Sequence, residues 1–126
     1  MGTLELFNEG HLADAIASVT GEVKASPTDI GRRALLAELL CFTTDYDRAD
    51  RQLEAIAKLE PNAMTVVTLT RQLIRAETWR QDFFSEGRTP EFLKTPNEGV
   101  QLQLRASIAL REDEQAEAAE LLTRAE

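Results

Sequence analysis

The chain has 126 residues, 43% apolar and 29% charged, a balance that suits one globular domain with a real core and excludes a disordered chain. Twenty-two acidic against 14 basic residues give a net charge of −8 with no run of Lys or Arg, which disfavours duplex DNA and anionic membranes as partners. A single cysteine, Cys41, excludes an internal disulfide and a cysteine-based metal site. No apolar run approaches the ~20 residues of a spanning helix and no signal-peptide pattern opens the chain, so the sequence reads as a soluble, intracellular protein.

In chain order, the spacing predicts a short helix over 3–9, ended by Gly10. A second helix follows over 11–25, with Leu12, Ile16, Val19 and Val23 on one face. A third over 28–43 carries Leu35, Leu36, Leu39, Leu40 and Phe42. A fourth over 45–59 turns Ala49, Leu53, Ile56 and Ala57 inward. A longer fifth covers 62–86; its β-branched start, "MTVVTLT", is the best strand candidate in the chain, but "LTRQLIRAETW" continues it with helical spacing. Two last helices span 96–111 and 113–126. Each carries one apolar stripe, so none is stable alone.

The breaks between helices have their own chemistry. Thr44 with Asp47, and Thr95 with Glu98 and Pro96, match the capping-box arrangement at a helix start. Asp45 and Asp47 also place negative charge at the positive end of the helix dipole.

Leu12, Ala15, Val19 and Pro27 lie 34 positions before Tyr46, Ala49, Leu53 and Pro61. A 34-residue period made of two helices is the tetratricopeptide signature. The small residue lets two helices approach closely, the aliphatic one four later fills the space between hairpins, and the proline marks the stop. Ala118, Leu122 and Ala125 repeat Ala49, Leu53 and Ile56 at a shift of 69, close to two periods. Between them lies a degenerate repeat whose small position is Phe83 and whose helix runs on through "WRQDFFSEGRTPEF". The expectation is all-α: three to four tetratricopeptide-like hairpins in one domain over 1–126, forming a short right-handed solenoid.

Candidate chemistry is sparse. His11, the only histidine, follows Gly10 at a turn and has no partner nearby in sequence, so it reads as a solvated turn residue. Cys41 lies among Leu39, Leu40 and Phe42 with no basic neighbour to lower its pKa, which suits a buried small apolar group better than a reactive thiolate. Asp45, Asp47 and Asp50 resemble the start of a calcium loop, but its glycine and glutamate positions hold Asp50 and Ile56, so capping explains the acids better. Trp79, Phe83 and Phe84 form either a packing cluster or a partner-binding ridge. Arg71, Arg75 and Arg80 on the same helix read as a solvated face paired with acids such as Glu77 and Asp82. No catalytic, cofactor or metal residue emerges.

Four segments carry a family resemblance: "LFNEGHLADAIASVTGEVKASPTD", "LLAELLCFTTDYDRADRQLEAIAKLEP", "RQLIRAETWRQDFFSEGRTPEFL" and "AEAAELL". Read in order they resemble the ImpE/TagJ (SciE) family of type VI secretion accessory proteins. The third is the most specific, because generic tetratricopeptide repeats lack a long arginine-rich helix followed by the turn at Phe84, Gly87 and Pro90. The resemblance implies a bacterial cytoplasmic adaptor with no enzymatic activity. Its partners would be the sheath small subunit TssB and, indirectly, the ATPase ClpV. It also implies that the chain is the repeat-bearing N-terminal part of a longer protein. The alternatives are a repeat scaffold for another bacterial complex, or the interaction module of a protein whose activity lies in a C-terminal part.

In tetratricopeptide arrays the first helix of each pair lines a concave groove. Aligning the repeats puts Leu4, Phe7, Glu38, Cys41, Phe42, Gln72 and Arg75 near it, a partly apolar trough suited to an amphipathic helix. Co-chaperone repeats hold an acidic peptide tail with groove lysines and asparagines; the matching places here hold Ala34 and Glu38, which disfavours that mode.

Overall fold

Every stretch with apolar residues at three- and four-residue spacing is a helix in the computed structural model, which describes residues 1–126. The helices are α1 (Thr3–Asn8), α2 (Leu12–Ala25), α3 (Ile30–Phe42), α4 (Tyr46–Leu59), α5 (Met64–Glu86), α6 (Glu98–Arg111) and α7 (Gln115–Ala125), with one 3₁₀ turn at Pro61–Ala63. There are no strands, and "MTVVTLT" opens α5. Its local β preference yields to the helical spacing that follows. Neighbouring helices pack as hairpins, α1 on α2, α3 on α4 and α6 on α7, and α2 also packs on α3. This is the tetratricopeptide-like arrangement expected from the period. The chain divides into two compact units, Met1–Arg75 and Ala76–Glu126.

The first unit holds the larger core. Ala15, Val19, Leu36, Leu39, Leu40, Ala49, Leu53, Ile56, Val67 and Ile74 form one buried cluster. Ala15 and Ala49, the small residues of the repeat, are fully buried. Polar ties flank the cluster. Arg71 on α5 donates from Nε to Asp50 Oδ1 at 2.7 Å and from Nη2 to Oδ2 at 3.0 Å. Arg33 on α3 donates to Gln52 on α4 at 2.8 Å. Buried Thr3 lies 2.8 Å from the Ser18 hydroxyl, Oγ to Oγ, joining α1 to α2.

The hairpin turns repeat as faithfully as the core. Gly10, Thr44 and Asp113 all adopt positive φ, at 84°, 59° and 60°. They are separated by the same 34 and 69 positions as the core residues. In each turn the next residue's N–H reaches back five residues: His11 to Leu6 at 2.8 Å, Asp45 to Leu40 at 3.1 Å and Glu114 to Ala109 at 2.8 Å. The left-handed residue itself donates three back, to Phe7, Cys41 and Leu110. This is the Schellman ending, which satisfies carbonyls left free at a helix C-terminus.

That turn corrects the first capping assignment. Thr44 belongs to the end of α3, in a left-handed conformation an N-cap does not adopt; Asp45 caps α4, accepting from the Arg48 N–H. At α6 the cap is Asn97, whose Oδ1 accepts from the Val100 N–H at 2.9 Å, not Thr95. A third correction concerns the altered repeat. The helix does not run on through "WRQDFFSEGRTPEF" but stops at Glu86, where Gly87 takes φ +78° and donates to the Phe83 carbonyl. The Arg111 guanidinium lies where a Cβ on Gly87 would project, so both the φ and the packing favour glycine there.

Candidate functional site

Exposed apolar side chains occur at several places on this fold, and two of these places hold the aromatic residues singled out in the sequence. The first lies on α1 and α3. Phe42 occupies the last turn of α3, where the periodicity places it with the inward leucines, yet it is 65% exposed. Its ring meets that of Phe7, centroids 5.4 Å apart and planes tilted by 43°. Leu4, one turn before Phe7, is also exposed. Cys41 is half-buried, and its thiol pKa is raised by burial and then by the nearby Glu38 carboxylate, so it is a poor nucleophile at neutral pH. Glu38 is exposed on α3, as are Gln72 and Arg75 on α5. The structure thus brings Phe7 and Phe42 into contact and leaves Leu4, Glu38, Gln72 and Arg75 facing solvent.

The second surface lies on the last turns of α5 and the segment that follows. Trp79 is 50% exposed, Phe84 is exposed and Phe83 is half-buried. Phe83 and Phe84 meet edge to face, centroids 4.9 Å apart. The cluster is thus packed on one side, at Phe83, and open on the other, at Trp79 and Phe84. Glu77 holds Arg80 through two hydrogen bonds of 2.7 Å, and this contact keeps the Glu77 carboxyl below its ordinary pKa. The residues after Gly87 fold back towards the ridge. The Arg88 guanidinium stacks 4.3 Å from the Trp79 ring centre, and its backbone N–H donates to the Asp82 carbonyl at 3.3 Å. Between ridge and returning segment is a partly enclosed cavity of about 610 Å³, walled by Trp79, Phe83, Pro90, Phe92 and Leu93. The sequence singled out Trp79 and Phe83 as a packing cluster or a ridge, and gave no sign of a cavity. It did not point to Arg88, Phe92 and Leu93, because nothing local says that a segment after a glycine returns to the preceding helix.

His11 starts α2, exposed, with no side-chain capping bond. The arginines of α5 divide: Arg80 pairs with Glu77 on the same helix, while Arg71 reaches Asp50 on α4 and ties two helices together. No helix is long and apolar enough to cross a membrane.

No family model matches the chain. It is 30% identical over 118 residues to the type VI secretion system accessory component TagJ of Pseudomonas aeruginosa; the match covers 94% of this chain and 42% of that protein. A crystal structure of a Vibrio parahaemolyticus protein matches with a TM-score of 0.84 at 28% identity, over 98% of this chain and 46% of that one. The chain therefore spans less than half the length of the relatives it matches.

Proposed function

We propose, for a chain whose comparisons support an ImpE/TagJ-type family, a role as the protein-binding repeat part of a type VI secretion accessory component. In this reading the chain is a cytoplasmic adaptor and carries no chemistry of its own. The observation that carries the binding role is the Phe7–Phe42 pair: Phe7 packs on the edge of the buried cluster, and Phe42, whose ring meets it, is left 65% exposed. Exposed aromatic anchors of this kind are common at interface centres. They sit on α1 and α3, the first helices of two successive hairpins, where repeat proteins of this class bind extended or helical segments. The proposed partner is a helix of the sheath small subunit TssB, and through it the ATPase ClpV. Its apolar side chains at i, i+3, i+4 and i+7 would lie along Leu4, Phe7 and Phe42, with Glu38, Cys41, Gln72 and Arg75 around them.

The test is titration of the purified chain with the purified sheath small subunit. Saturable binding is expected, weakened by Phe42→Glu and by Gln72→Glu. Both positions are exposed, so both variants should keep the parent's helicity. Unchanged affinity in both folded variants removes the groove as the site.

A further inference from the structure

We propose that the cavity between α5 and the segment after Gly87 is a second peptide-binding site, which takes a side-chain carboxylate next to a large apolar side chain. The proposal is independent of the groove on α1 and α3, since every residue it uses follows Arg75. The walls call for an apolar group. Trp79, Phe83, Pro90, Phe92 and Leu93 line about 610 Å³, several times what one large side chain needs, and Trp79, Phe92 and Leu93 are exposed there. Pockets that are mostly apolar with a few placed polar groups are the usual small-ligand and side-chain sites.

Arg88 supplies the placed polar group. Its guanidinium is set by stacking on Trp79, and its nearest acid, Asp82, is 3.7 Å away, beyond hydrogen-bond reach. The side chain makes no hydrogen bond within the protein, unlike Arg80, which Glu77 holds at 2.7 Å. A wholly apolar occupant would cover the cavity mouth and strip water from these donors without replacing it, which is costly. A carboxylate would satisfy them in a two-pronged contact and would need no rearrangement of the stacked ring. A cation would find the Trp79 face already taken by Arg88. A polyanion such as a phosphate group would meet Asp82, Glu77 and Glu91 around a single unsatisfied guanidinium. A singly charged acid beside an apolar side chain fits best.

Trp79 is the only tryptophan of the chain, so its fluorescence reports on the site directly. The probe is a peptide blocked at both ends with one glutamate between phenylalanine and leucine. Saturable change in Trp79 emission is expected. The same peptide with glutamine for glutamate should bind about tenfold more weakly, the usual loss for one charge-assisted contact. Arg88→Gln should erase that difference by weakening only the glutamate peptide, and Arg88→Lys should restore part of it. Arg88 is exposed and outside any helix, so these variants are expected to fold as the parent, with circular dichroism as the check. Equal affinity for the two peptides, or no saturation in the millimolar range, overturns the proposal. Tighter binding of the glutamine peptide once its C-terminus is freed, relative to the blocked glutamate peptide, overturns the assignment to a side-chain carboxylate.

Discussion

Val19, Leu53 and Leu122 hold one place in the repeat, four residues after the small alanine of their helix, yet they end differently: 0%, 7% and 45% exposed. In the first unit this position is filled from outside its own hairpin. Val19 shares a cluster with the leucines of α3, and Leu53 with Val67 and Ile74 of α5. In the second unit α6 and α7 close on each other through Leu102, Ala106 and Leu121, and Leu122 stays outside. The hairpin contact is thus intrinsic to each repeat, whereas burial of the aliphatic position depends on a helix that follows. The first unit turns the period into one shared core. Both units also leave apolar side chains outside, the first at Val66, Leu69 and Leu73 of α5 and the second around Trp79, Phe92 and Leu93.

The sharpest way to break this comparison is to cut the same side chain in both units. Leu40→Ala, in the shared core, should cost about 2–5 kcal/mol, whereas Leu122→Ala should cost about 1 kcal/mol or less. Equal losses on denaturant unfolding would mean that Leu122 is covered in solution. Overpacking comes next. Ala49→Leu places three extra carbons at a fully buried helix contact and should cost about 1–3 kcal/mol; a parent-like melting midpoint would refute the close approach. The turns give the smallest effect, with the opposite sign. Thr44→Gly and Asp113→Gly relieve a left-handed residue that Gly10 already accommodates, and each should stabilise by about 1 kcal/mol. A loss in either unit would show that its side chain holds the turn.

The periodicity made the helices legible almost to their ends, because a buried stripe must recur at helical spacing wherever helices stack. It also placed Ala15, Ala49 and Ala118, all three buried, since close approach tolerates little but a small side chain. Cap positions were not legible to the residue. Thr44 and Asp45 are adjacent and both able to cap, and the choice falls to a backbone turn that non-glycine residues rarely adopt. Thr95 and Asn97 pose the same ambiguity. Leu122 matched Leu53 in sequence but not in burial, because sequence records what a position prefers and not whether a neighbour arrives. For the candidate sites the aromatic residues were visible one by one. Aligning the repeats put Phe7 and Phe42 on one side of the array, but not their ring contact, which depends on how α1 and α3 pack. Nor did it show the cavity at Trp79, which needs a non-repeating segment to fold back after Gly87.

In the proposed reading the two units present different binding surfaces, and the repeat unit would take the helix of the sheath small subunit. One titration of that helix against parent, Phe42→Glu and Trp79→Ala chains tests it, with circular dichroism confirming equal helicity. Loss of a central aromatic anchor commonly removes about 2 kcal/mol, roughly thirtyfold in affinity. The account predicts a loss of that order for Phe42→Glu and parent-like binding for Trp79→Ala. The reverse pattern, with Trp79→Ala losing the helix and Phe42→Glu retaining it, would contradict the account and move the binding surface to the second unit.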